Sequence, residues 1–204
     1  MKTSQIFTGT ALIAALAFTS AASAQAARAA AAAPVAQGPA IPGVCVLSVN
    51  QAISTSTVGG YVRDRMTQIV AQVKAELQPE DTAIATEGRA LEAKRSTLTA
   101  ASFQTQAQAL TGRVNALRQK ADLRQREVQA TEQKALNRIA QELDPIARQL
   151  YEQHRCSILM SKDAVMISNP EMDLTSQAVT GLNARIQQFA FERERLDTAT
   201  AGAR

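Results

Sequence analysis

Aromatic side chains make up only 3% of the 204 residues and tryptophan is absent, so the bulky anchors of a thick globular core are missing. There is one histidine, His154, and the chain has no GxxxxGK[ST] phosphate loop, HExxH, CxxC or GxSxG pattern. Without convergent reactive groups, nothing points to an enzyme, a metal centre or a bound cofactor. His154 falls near the end of a long helical pattern and reads as a surface residue at a helix terminus. The formal charge of +4 is too small to demand a nucleic-acid partner. No stretch beyond the N-terminus is apolar for long enough to cross a bilayer.

What is present begins with an export signal. Lys2 supplies a positive n-region, Ile6 to Phe18 form a short apolar stretch, and Ala22-Ser23-Ala24 is the small-x-small pattern that a signal peptidase accepts. A signal peptide over residues 1–24, cleaved after Ala24, is the expectation. Residues 25–43, rich in Ala with Pro34, Pro39 and Pro42, cannot bury enough apolar area to fold alone and read as a flexible leader.

Val44 to Asn50 is a compact β-branched run and predicts a buried strand, after which Ser54 to Gly60 turns the chain. From Tyr61 to His154 apolar residues recur at helical spacing. One stripe is Val62, Met66, Ile69, Val73, Leu77, Ile84, Leu91 and Leu98. A second is Phe103, Ala107, Leu110, Val114, Leu117 and Ala121, resuming at Val128, Ala135, Ile139, Leu143, Ile146 and Leu150. A break at Ser96 to Ser102, where Thr99 or Ser102 can cap a new helix, makes the pair a helical hairpin whose arms pack seam to seam. A first arm over Gly60 to Thr97 would reach about 57 Å. Pro79 predicts a kink, and Asp144-Pro145 a break in the returning helix. The seam is lean: alanines, Arg124 and Thr131 stand where a rigid coiled coil would use Leu.

Cys156 to Met160 and Ala164 to Ile167 then predict a strand hairpin about a Ser161-Lys162-Asp163 turn. Asp173-Leu174-Thr175 opens a last helix with Val179, Leu182, Ile186 and Phe189 on one side. The layout is therefore α+β and mostly α. A helical-hairpin arm (59–155) stands on a small β body (44–58 and 156–192), and residues 193–204 form a frayed tail. So small a split body needs association to bury a core.

The cysteines alternate with apolar residues, so both point into the body. If the chain leaves along the first strand and returns along the second, those strands run antiparallel. Cys45 and Cys156 then sit about 10 to 15 Å apart at about 3.3 Å per residue, beyond disulfide reach. Buried thiols or a bond between subunits are the favoured expectations, with an intrachain bond as the alternative that an exported setting allows.

The layout resembles the Skp (OmpH-like) family. The segments that carry the resemblance are Val44 to Gly60 and Cys156 to Asn183, above all the strand, Lys162-Asp163 turn and strand followed by the Asp173-Leu174-Thr175 helix start. The resemblance implies a periplasmic homotrimer, with strands of three subunits forming the body and hairpins hanging from it around a cavity. It implies a holding chaperone, independent of ATP, for unfolded outer-membrane β-barrel proteins. A structural or adaptor coiled-coil protein of the envelope is the rival reading.

Charge along the arm suggests where such clients or an anionic membrane surface would be met. Residues 88–126 carry Arg89, Lys94, Arg95, Arg113, Arg118, Lys120, Arg124 and Arg126 against Glu92 and Asp122, a net of +6. Residues 60–87 carry a net of −2 and residues 127–155 a net of −1. These eight basic residues are the candidate binding site, expected at the arm tip.

Overall fold

The computed structural model describes residues 37–196. The expected signal peptide (1–24), residues 25–36 of the leader and residues 197–204 of the tail lie outside them.

Strand β1 (Val44–Leu47) is followed by helix α1 (Val49–Thr55), the long helices α2 (Thr57–Ala93) and α3 (Ala100–Gln153), strand β2 (Ile158–Ser161) and helix α4 (Thr175–Arg185). The helical hairpin holds as read. Thr99 caps α3 by accepting from the Ser102 amide, and the predicted stripes line the seam: Val62, Met66 and Ile69 of α2 are buried, as are Ala135, Ile139, Leu143, Ile146 and Leu150 of α3. At 1.5 Å per residue the 37 residues of α2 extend about 55 Å.

Several expectations fail, each for a local reason. β1 ends at Leu47 because Ser48 caps a helix there, its Oγ accepting from the Gln51 amide at 3.2 Å. α1, which the strand reading to Asn50 passed over, meets α2 at a corner where a Cβ on Gly59 would collide with the Ile53 carbonyl oxygen. Only glycine permits so close an approach.

At the far end of the excursion, α3 runs unbroken through Pro145 to Gln153. A proline costs a helix one N–H and one carbonyl partner; here buried Leu143 and Ile146 hold the flanking turns and Asp144 pairs with Arg148 at 2.9 Å. α2 likewise continues through Pro79.

The chain reverses at Arg155, whose φ is 50°. Ser157 and Ile158 then donate their amides to the Gly43 carbonyl at 2.6 and 3.0 Å. β2 therefore sets off beside the start of β1, and the two strands are parallel, Val44 opposite Ile158 and Leu47 opposite Ser161. The antiparallel expectation was wrong because it left out the reversals at α1 and at Arg155. With both strand starts together, Cys45 and Cys156 are joined by a disulfide, Cα to Cα 5.9 Å, and both are buried. The intrachain bond replaces the favoured reading of buried thiols or an intersubunit link.

The predicted strand over Ala164 to Ile167 is absent. A 3₁₀ turn occupies Lys162–Ala164, Met166 is fully exposed, and β1 takes as its other neighbour a single bridge from Val46 to Asp173. α4 starts at Thr175, whose amide donates to Asp173 Oδ1. It ends at Arg185, so Phe189 stands on the segment beyond it and not on the helix. Leader residues are bonded too: Asn169 Nδ2 donates to the Gly38 carbonyl at 2.9 Å.

The core lies at the root. Val58, Val62, Met66 and Ile69 pack with Ala135, Ile139, Leu143, Ile146 and Leu150, and with Leu174, Ala178 and Leu182 of the α4 region. Gly181 lets α4 come down on Ile146, which a Cβ there would meet at 2.8 Å.

Candidate functional site

The two arms carry the candidate site, and their seam changes along its length. On α3 every buried apolar residue lies at Ala135 or later, whereas Phe103, Ala107, Leu110, Val114, Leu117 and Ala121 are only half-buried. The outer half of α3 is a shallow apolar seam flanked by charge, facing an α2 on which Ile84 and Leu91 are buried.

The hairpin folds the acidic part of α2 against the basic part of α3. Arg113 pairs with Glu87, Lys120 with Glu80 at 3.2 Å and Arg124 with Glu76 at 2.8 Å. The candidate residues therefore separate into groups. Arg113 and Lys120 bridge the arms. Arg95 pairs with Glu92 at 3.1 Å and stacks over Phe103, 5.0 Å from the ring centroid. Arg89 donates to Thr86. Arg124 is 8% exposed and belongs to the seam, not to an open surface. Lys94, Arg118 and Arg126 are exposed, with no ion-pair partner among the described residues.

At the tip itself stand Arg89, Lys94 and Arg95 against Glu92, a weaker excess than the +6 of the linear window. The windows along the chain counted Arg113 to Arg126 as tip residues, whereas the fold sets them beside Glu76 to Glu87 of the other arm.

Closer to the root, the strongest charge cluster includes a residue that the sequence reading assigned to the frayed tail. Residues 186–196 form neither helix nor strand and run along the hairpin. Phe189 and Phe191 lie against Tyr61, each with ring centroids 6.4 Å away, and Glu192 pairs with Arg65 at 2.6 Å. Arg193 meets Glu76 of α2 at 2.9 Å and Glu127 of α3 at 3.3 Å. Arg124 contacts the same two carboxylates, closing a ring of two arginines and two glutamates in which Glu127 is fully buried. A buried carboxylate needs such partners. Burial raises the Glu76 pKa, but hydrogen bonds from Arg124 and Arg193 outweigh it and hold the carboxyl below its ordinary value.

The strap continues past the ring. Glu194 donates its amide to Thr131 Oγ1 at 2.9 Å and pairs with Lys134 at 2.7 Å, and the Leu196 amide donates to Glu127 Oε1. The described part of the expected frayed tail is thus anchored. The alternation of Phe189, Phe191 and Arg193 at period two, the mark of an extended segment with one side covered, was the signal available for it.

Nearer the body, Glu142 joins two helices by pairing with Arg138 of α3 and Arg185 of α4, both at 2.5 Å. Hydrogen bonds from Arg185 and then Arg138 hold its carboxyl below the usual range. Asp173 is lowered as well, because bonds from Lys162 and Thr175 outweigh burial. His154 caps the end of α3 and meets Gln177 Oε1 at 2.6 Å, exposed. The described residues hold no cluster of three or more potential metal ligands.

The family model for outer membrane proteins (OmpH-like) matches residues 43–182, well over half of the chain. No curated protein matches. Among solved structures, the chain is similar to one described as an OmpH-like outer membrane chaperone from Caulobacter crescentus CB15, at 46% identity and a TM-score of 0.71, covering 80% of this chain and 96% of that one. The match takes in both strands, both arms and most of α4, and the chain belongs to the OmpH-like family, whose role is a chaperone's and not an enzyme's.

Proposed function

We propose that the protein is a periplasmic holding chaperone that keeps unfolded outer-membrane β-barrel proteins from aggregating, without ATP, in a cavity between the arms of a homotrimer. It reaches the periplasm on a signal peptide cleaved after Ala24. The observation that carries the reading is the outer arm: half-buried apolar residues from Phe103 to Ala121, interleaved with exposed bases. Many weak contacts of this kind suit a client with no fixed shape, because confinement raises their combined strength. Support for the trimer comes from apolar side chains left uncovered around β2. Ile158 is 54% exposed, Met166 100% and Ile167 66%, and exposed apolar side chains gathered near one strand are what a subunit contact would cover.

Capture begins with charge. Lys94, Arg118 and Arg126, exposed bases outside the ion pairs, attract acidic chains or an anionic membrane surface over about 8 Å at physiological salt, and apolar contacts hold the client afterwards. The test is dilution of an unfolded outer-membrane barrel protein from denaturant, followed by light scattering with no nucleotide present. The mature protein is expected to suppress aggregation. The variant K94E/R118E/R126E is expected to capture an acidic client several-fold more slowly at low salt and at nearly the wild-type rate at high salt. Unsuppressed aggregation would favour the adaptor reading.

A further inference from the structure

The strap over residues 189–196 sits on the arm in a manner that suggests exchange. Its Glu194 and Leu196 amides bond to side chains of α3, those of Thr131 and Glu127. Its anchors are a pair of phenylalanines on Tyr61, the Arg193 bridge to Glu76 and Glu127, and two ion pairs at the rim. In those rim pairs the Glu192 and Lys134 side chains are 82% and 73% exposed. Beside it, the outer face of α3 and the strap enclose an open groove of about 950 Å³, lined by residues such as Gln133, Asn137 and Arg138.

The hairpin's side chains read a pattern, aromatic-x-aromatic-x-Arg, together with backbone groups at Phe191, Glu194 and Leu196 that any sequence supplies. When the strap leaves, Tyr61 is uncovered and the carboxylates Glu76 and Glu127 lose one of their two arginines. An apolar step followed two residues later by a cation is what they would accept in its place.

We propose that this face of the hairpin, lined by Tyr61, Arg65, Glu76, Glu127, Thr131 and Lys134, is a docking site for an extended segment of an unfolded client. The segment carries aromatics at alternate positions followed by arginine, and it displaces the strap. The proposal rests on the chaperone reading and gives it a specific contact. The strap then has the role of a tethered competitor: its high local concentration excludes weak single-site ligands and yields to a long client that also engages the outer arm.

The test uses full-length mature protein and a fluorescein-labelled peptide of residues 187–196. Fluorescence anisotropy is expected to show at least tenfold tighter peptide binding to F189S/F191S/R193Q, whose own strap is weakened, than to wild type. A scrambled peptide should not bind, and adding E76Q and T131V to the unlatched variant should abolish binding. Should the triple variant lose helix content by circular dichroism, R193Q alone serves, with a smaller gain of the same sign. An unfolded barrel protein added to the peptide complex should release the peptide.

Equal peptide binding by wild type and a well-folded unlatched variant overturns the proposal, as does equal binding of the scrambled peptide. Client capture without peptide release overturns the client as occupant while leaving the chaperone reading standing. Peptide binding in a protein that captures no client under any condition overturns the chaperone reading, and with it the client as occupant.

Discussion

The root and the outer half of the arm are built on the same helical spacing yet differ in what fills it. At the root, Ile69 and Ile139 are fully buried, α4 closes over the seam, and a disulfide joins the two strand starts. Farther out, Ile84 and Leu91 of α2 are buried, but α3 supplies only alanines and half-buried residues such as Leu110 and Leu117, which share the seam with ion pairs such as Arg113–Glu87 and Lys120–Glu80. Apolar periodicity sets where two helices touch, whereas the volume of the side chains sets how firmly. A hairpin packed more deeply where it joins the body than along the outer half of α3 follows from residue size.

The largest test of that difference is reduction of Cys45–Cys156. The bond spans a sequence separation of 111 residues, and a loop of that order constrains the unfolded chain by about 5 kcal/mol. Denaturant unfolding with and without reductant should show a loss of this size. Hydrogen exchange should place the change at the root, with amides of 100–123 exchanging readily in both states.

Next in size is a pair of truncations. Ile139→Ala should cost about 2–5 kcal/mol, as removal of a fully buried aliphatic side chain does. Leu117→Ala, at a half-buried outer position, should cost about 1 kcal/mol or less. Equal losses in thermal unfolding would erase the distinction between the two halves.

The smallest effect is electrostatic and belongs to the root. Arg185 and Arg138 hold the Glu142 carboxyl below its unfolded value of 4.5. Its contribution is therefore complete above about pH 4.5 and lost as pH falls through the lower folded value. Both arginines are about half-exposed, which keeps the contribution below about 1 kcal/mol. Glu142→Gln should be slightly less stable than wild type at neutral pH, and the two should converge on acidification.

What could be read from the sequence was what depends on neighbours along the chain. The seam residues from Val62 to Leu150, the Thr99 cap and the closing helix all follow from spacing and local hydrogen bonding. The misses share a different origin. Strand direction depended on a seven-residue helix after Ser48, whose Ser48-x-x-Gln51 start was present but read as the end of a strand, and on one left-handed residue, Arg155.

Once the strands were taken as antiparallel, the disulfide was bound to look out of reach. Val165 to Ile167 have β-branched character, but a strand exists only where an edge receives it. The basic cluster suffered most, because charge was summed along a line while the fold doubles that line back. Arg124 keeps the seam place that the helical spacing gave it, which takes it out of the basic cluster, and Arg193, which shares its carboxylates, came from a segment expected to fray.

Cys45 and Cys156 stand on either side of everything that reaches away from the body. Together they make the arm a closed covalent loop. A protease that clips the arm at any single peptide bond leaves one molecule of unchanged mass apart from a water. The nick becomes visible on a gel only after reductant, and both stumps stay held at the root where the returning helix can dock again.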